Sequence, residues 1–288
     1  MKKMLFILMI LSLLLTACDE REKNDDLMEG FVLLQGGSFT MGSIDNESDE
    51  QPVHQVTLSP YAISRYEVSQ IEWYNVMNNN PSQFVGNTIM PVEQVSWYQA
   101  IVYCNKRSLK RGLELCYKKG GQSDPNDWGA IPETDYDSEW DAITCDWTAN
   151  GYRLPTEAEW EFAARGANLS TGKIYSGSNI LNEVGWYNLN SSNATQAKGS
   201  KTPNELMLYD MSGNVWEWCW DMYGLYSSDS QIDPHGNTAN LDRVIRGGGW
   251  NSEQYNCRNA KRNFVSPGYS GSTVGFRLVR TYIHNSDK

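Results

Sequence analysis

From Arg165 to the C-terminus, Gly, Asn, Ser and Asp interrupt nearly every apolar run, which leaves little room for long helices or strands in the second half of the chain. A fold with so much irregular backbone needs another source of cohesion. The chain carries 11 Trp and 16 Tyr, and each aromatic side chain can bury roughly 150–250 Å². Most of these rings are expected in a core that holds the loops together.

Before Arg165, three helix starts can be read from side-chain chemistry. Ser69-x-x-Glu72, Ser96-x-x-Gln99 and Thr156-x-x-Glu159 are capping-box patterns, in which each side chain bonds a backbone N–H at the other residue. The second predicts a helix with Trp97, Ala100, Ile101 and Cys104 on one inward face, ending at Gly112; the third gathers Trp160, Ala163 and Ala164 and ends at Gly166. Phe31–Leu34 and His54–Leu58 read as strands joined by an acidic turn over Ser43–Gln51.

Residues 1–17 have the organisation of a signal peptide: Lys2 and Lys3, an apolar run from Met4 to Leu15, then Thr16-Ala17-Cys18. The run of about twelve residues is shorter than the roughly twenty a spanning helix needs. The Leu-Thr-Ala-Cys ending resembles a bacterial lipobox, which implies lipidation at Cys18, export, and display on a bacterial membrane, with the cell surface as the expected site. Residues 18–29 are rich in charge and poor in apolar side chains, as a tether would be. A single domain is expected over 30–288. Without Lys2 and Lys3, 22 basic side chains face 35 acidic ones, a formal charge of −13. Nucleic acid, held mainly through Lys and Arg on phosphates, is not an expected partner.

Five cysteines follow Cys18: Cys104, Cys116, Cys145, Cys219 and Cys257. None has the close Cys/His spacing of a zinc site. Cys116 and Cys145 bracket a segment rich in Asp, Gly and Pro, where either a disulfide or two buried thiols would fit. No Gly-x-Ser-x-Gly elbow with triad partners can be assembled.

Several motifs together resemble the sulfatase-modifying-factor, or formylglycine-generating-enzyme, family. They are Gly36-Gly37-Ser38-Phe39-x-Met41-Gly42-Ser43, Tyr66-Glu67-Val68-Ser69, Pro91-Val92-x-x-Val95-Ser96-Trp97, and Tyr152 to Glu161. The more specific ones are Leu208-Tyr209-Asp210-Met211-Ser212-Gly213-Asn214-Val215-Trp216-Glu217-Trp218, Arg243-Val244-x-Arg246-Gly247-Gly248 and Val274-Gly275-Phe276-Arg277. The resemblance spans roughly Phe31 to Arg280. It implies an α+β, C-type-lectin-like fold with a small mixed sheet, a few helices and much loop.

Fold does not fix function here, because the family contains both oxidases and binding proteins. The oxidases hold copper between two cysteines, and a cuprous ion requires such soft ligands. In this chain Ser252 stands where the first of those cysteines is expected, and Cys257 falls beside the position of the second. Related sulfoxide synthases hold iron through a histidine-rich bundle, whereas only His54, His235 and His284 occur here. No catalytic residue and no required cofactor is expected. The resemblance also places Asp210, Gly213, Val215 and Glu217 where these enzymes hold calcium through side-chain and backbone oxygens. Asp210 and Glu217 could equally be polar staples bonded to loop amides or arginines.

The segment 243–280 most resembles the variable region of proteins diversified by retroelements, in which adenine-directed mutagenesis rewrites Asn codons between fixed anchors. The anchors stand as Arg246, Gly247, Gly248, Trp250, Cys257, Arg258, Arg262, Ser266, Pro267, Gly268, Gly275, Phe276 and Arg277. Between them lie Asn251, Ser252, Tyr255, Asn256, Asn259, Asn263, Phe264, Val265, Tyr269, Ser270, Ser272 and Thr273, all residue types reachable from an Asn codon by changing adenines. Gly249, Glu253 and Gln254 depart from the pattern. The resemblance implies that these twelve side chains form an exposed ligand-binding patch for a protein or other cell-surface partner, while Trp250, Arg258, Arg262 and Phe276 are buried or bonded.

Overall fold

The computed structural model describes residues 29–45, 47–236 and 240–282. The expected signal peptide, Cys18 and all but the end of the expected tether lie outside the described residues. From Val32 onward the chain gathers into one compact unit. Among the described residues, no helix is long and apolar enough to cross a membrane.

The strands are short and fall into several small sheets. One sheet has the order β1 (Phe31–Leu34), β4 (Tyr61–Ser64), β13 (Val279–Thr281), β7 (Tyr152–Arg153). Here β13 runs antiparallel to both β4 and β7, so the last described strand is clasped between much earlier segments. A second sheet has the order β11 (Arg262–Val265), β10 (Arg243–Arg246), β8 (Trp216–Met222), β12 (Val274–Gly275), antiparallel except where β12 meets β8. A third joins β2 (Gly37–Met41), β3 (His54–Leu58) and β9 (Gln231–Ile232), and β5 (Tyr117–Lys118) pairs with β6 (Thr144–Cys145). Both strands expected near the start form with the bounds read from the sequence, but they lie in different sheets. His54–Leu58 pairs with Gly37–Met41, and Phe31–Leu34 joins a different sheet. Gln35 and Gly36 separate β1 from β2, and Gly36 and Gly37 both take positive φ there, a break for which glycine is suited.

All three capping boxes open helices: α1 (Gln70–Met77), α2 (Trp97–Lys110) and α4 (Glu157–Ala164). Two single-turn helices, α3 (Ser138–Asp141) and α5 (Leu181–Val184), complete the described set. Trp97, Ala100, Ile101 and Cys104 are fully enclosed, as their helical spacing predicts. Helix α4 is buried on every side and packs against both β2–β3 and β8–β10. Its apolar residues join Leu34, Val56, Ile63, Met211 and Val244 in the main core.

Burying α4 also buries Glu157, Glu159 and Glu161. An unpaired buried carboxylate costs several kcal/mol, so each of these needs a cation. Arg153 bonds Glu159 through both terminal nitrogens, at 2.6 and 2.7 Å. Arg246 bridges Glu157 and Glu161, Arg165 also bonds Glu161, and Arg262 bonds Glu157. Distant parts of the chain are tied to one helix in this way. The five cysteines of the domain are free thiols, and β5–β6 pairing sets Tyr117 opposite Cys145.

Candidate binding face

Segment 243–280 is fixed at its anchors. After β10, Gly247 and Gly248 turn the chain at φ +95° and +79°. A Cβ on Gly248 would fall 2.6 Å from the Cys257 sulfur, so only glycine fits that approach. Trp250 donates its indole N–H to the Ser272 carbonyl at 2.9 Å and meets Phe84 edge to face. Arg258 bonds Glu50 through two nitrogens, at 2.9 and 2.6 Å, in a buried pair. Arg262 bonds Glu157 and also donates to the Asp49 and Gly224 carbonyls. Phe276 is fully enclosed against Trp73 and Tyr103.

Between these anchors, Asn251, Tyr255, Phe264, Tyr269 and Ser270 are exposed, and Asn256, Asn263, Val265, Ser272 and Thr273 are partly exposed. Tyr255, Phe264 and Tyr269 each keep 40–45% of their surface in solvent. The β11–β10 register sets Phe264 opposite Val244, yet Val244 is buried and Phe264 is open. Phe264 rests on the Tyr223 ring, with centroids 4.1 Å apart. Below Tyr255 lie the Lys261 ammonium and the Arg258 guanidinium.

Two of the twelve expected contact residues are not surface groups. Ser252 is buried, and its hydroxyl accepts the Gly249 N–H at 2.9 Å while its carbonyl accepts the Asn188 N–H. Asn259 is buried, its amide donating to the Lys173 carbonyl at 3.1 Å and its backbone N–H to the Ile174 carbonyl. Both satisfy loop backbone that would otherwise lose its water partners.

The loop before α3 supplies a neighbour that no sequence pattern signals. Gly268 donates to the Asp135 carbonyl at 3.0 Å, Ser266 donates to the Asp135 carboxylate at 2.7 Å, and a Cβ on Gly268 would collide with the Thr134 carbonyl. This contact sets the exposed Tyr136 beside the segment, its hydroxyl donating to Asp242.

Residues 17–282 match the sulfatase-modifying factor enzyme 1-like domain. The chain belongs to that family. It is 38% identical to "Chaperone protein LppX" of Paenibacillus barcinonensis, over 98% of this chain and the whole of that one. It is 29% identical to the formylglycine-generating enzyme of Thermomonospora curvata, over 90% of this chain and 96% of that one. Among solved structures, Treponema denticola variable protein 1 is similar with a TM-score of 0.82 and 38% identity, covering 88% of this chain and 95% of the other. The α+β, C-type-lectin-like architecture of this family is the one adopted here.

Where the resemblance implies the oxidases' two cysteines, this chain has Ser252 at the first position and Cys257 beside the second. Cys257 is fully enclosed, and burial pushes its thiol up to about 12. The neighbouring position is the buried hydroxyl of Ser252. A hydroxyl and a protonated thiol are poor ligands for a cuprous ion.

At the four positions where the resemblance implies calcium, the structure shows protein partners for Glu217, Asp210 and Gly213. Glu217 is fully buried and gripped by Arg277 through two bonds of 2.6 Å, and it also accepts the Trp160 indole N–H at 2.7 Å. Asp210 accepts the Gly199 N–H at 2.7 Å, while the Gly213 N–H donates to the Gly247 carbonyl. Arg277 is the cation that faces Glu217, while the second Asp210 oxygen is buried without a hydrogen bond among the described residues. Among the described residues, no group of three His, Cys, Asp or Glu is placed to hold a metal. Glu67 completes this buried cluster. Burial first, then Asp210 and Glu217, raises its carboxyl well above the ordinary range, and burial lifts Asp210 to about 6.

Proposed function

We propose that the protein is a lipid-anchored binding protein of a bacterial surface, and that it recognises a protein or other cell-surface ligand through the exposed side chains of segment 243–280 without catalysis. The observation that carries this reading is the contrast within the segment. Arg258, Arg262 and Phe276 are locked into the body, while Tyr255, Phe264 and Tyr269 keep large exposed areas on that fixed backbone. Rigid aromatic side chains on a preorganised surface supply contact area at low entropic cost, and Asn and Ser around them adapt their hydrogen bonds. A likeness to a protein described as variable supports the same reading, as does the loss of the oxidase's paired thiols.

The test replaces Tyr255, Phe264, Val265 and Tyr269 with Ser, singly and together. Each single change should shift stability by no more than about 1 kcal/mol, whereas Phe276→Ala should cost about 3–5 kcal/mol. Losses of several kcal/mol at the four positions would make them core and sink the proposal. Diversification has a separate check in the genome: a near-repeat of the coding segment for 243–280 beside a reverse transcriptase. Its absence would leave a binding protein with a fixed face.

A further inference from the structure

A cavity of about 450 Å³ lies beneath β11, walled by Met41, His54, Asp221, Tyr226, His235 and Arg262 among others. The volume is within the range of small-molecule sites. His54, Tyr226 and His235 bring rings to it and Met41 and Met222 thioethers, the Glu157–Arg262 pair also lines it, and His54 and Tyr226 meet edge to face with centroids 4.8 Å apart.

The charges around this cavity do not balance. Glu157 is held by Arg246 and Arg262, and Glu161 by Arg246 and Arg165. Arg262 is committed to Glu157 and lies over the Tyr226 ring at 3.8 Å. Asp221 is 4% exposed, and one of its oxygens accepts the Glu157 N–H at 2.8 Å. Its other oxygen has no hydrogen bond or ion pair among the described residues. Arg243, a buried arginine on β10 without a carboxylate partner among them, is engaged by the Trp220 carbonyl and the Trp97 and Trp220 rings and not by Asp221. His235 does not fill that role, because burial and then Arg153 hold its imidazole below its ordinary value. A carboxylate at the edge of an aromatic-walled cavity, without a partner charge, is complementary to an ammonium group, which gains both the ion pair and the ring faces. An anionic ligand would meet Asp221 and find Arg262 already engaged.

We propose that this cavity binds a small organic cation, an aliphatic amine in its ammonium form, with Asp221 as its counter-ion and Tyr226 and His54 as its walls. The site is separate from the exposed side chains of segment 243–280, and its failure would leave the surface-binding reading intact.

The probe is n-butylammonium, compared with n-butanol as a neutral molecule of similar shape, titrated calorimetrically into the mature protein at pH 9. At that pH the amine is still charged and the Asp221 carboxyl, which burial and Glu157 raise to about 8, is mostly ionised. The amine should bind at least tenfold more tightly than the alcohol. Asp221→Asn keeps an oxygen for the Glu157 N–H and should abolish the difference. Equal binding of the two probes to the unaltered protein, no binding of the amine, or undiminished amine binding by a folded Asp221→Asn variant would each overturn the proposal. The comparison of the two probes on the unaltered protein decides the matter even if the variant does not fold.

Discussion

Arg262 grips Glu157 from both sides of its carboxylate, Nε donating to one oxygen at 2.6 Å and Nη2 to the other at 2.9 Å, with both side chains buried. One partner stands on β11 of the proposed binding face, and the other is the first residue of α4 in the core. The face therefore inherits the rigidity of the helix.

Removing one member of a buried pair leaves the other charge uncompensated, at a cost of about 3–5 kcal/mol. Arg262→Met should destabilise the protein by that amount in urea unfolding, even though Glu157 keeps its bond from Arg246. A loss below about 1 kcal/mol would show that β11 is not held through this pair.

Asp221 gives a pH dependence of defined sign. Its folded carboxyl is raised to about 8, chiefly by burial and then by Glu157, against about 3.9 in an unfolded chain. The folded state therefore binds this proton more tightly. Its contribution to stability is complete below about pH 4 and is lost as pH rises through about 8. Asp221→Asn removes that dependence. The stability of the variant relative to the parent should climb between pH 5 and 8.5 by an amount on the order of a few kcal/mol, read from paired denaturant curves. Parallel pH profiles would place the Asp221 carboxyl in its ordinary range.

Because Arg277 neutralises Glu217 directly, chelation should leave the thermal midpoint unchanged, and elemental analysis should find no stoichiometric calcium. Binding to the native state alone would stabilise by about 2.7 kcal/mol at a hundredfold excess over Kd. A midpoint that falls with chelator and recovers with calcium would mean that Arg277 yields its place to the ion.

Membrane attachment is predicted to depend on one atom, the sulfur of Cys18. Acyl chains contribute about 0.8 kcal/mol per buried methylene, so loss of the lipid removes the anchor outright. Cys18→Ser should move the protein from the membrane fraction to the soluble one after cell lysis and ultracentrifugation. Continued sedimentation with membranes would refute lipidation as the anchor.

What could be read along the chain was what local chemistry decides. Ser96 and Thr156 cap helices because a hydroxyl accepts an N–H only three residues away, and Ser69 starts one through the Glu72 carboxylate that accepts its own N–H. The enclosure of Trp97, Ala100, Ile101 and Cys104 follows from helical spacing. Family motifs carried the fold where periodicity was absent, and the irregular backbone after Arg165 was legible from its glycines and polar breaks.

Tertiary structure decided which polar groups meet. Ser252 and Asn259 have the same residue types as their exposed neighbours; what buries Asn259 is a carbonyl at Lys173, 86 residues away. Asp210 and Glu217 fit a cation site and a staple equally well until Arg277 is placed between Glu217 and the Tyr209 carbonyl. Asp221 looked like one more acid in an acidic chain. Only the packing around it shows that Arg262 and Arg246 are already paired, that Arg243 lies over the Trp97 and Trp220 rings, and that this carboxyl has no ion pair among the described residues. Hydrogen bonds and ion pairs between distant segments depend on positions set by the whole core, and a buried charge is costly or favourable according to a neighbour that sequence distance does not reveal.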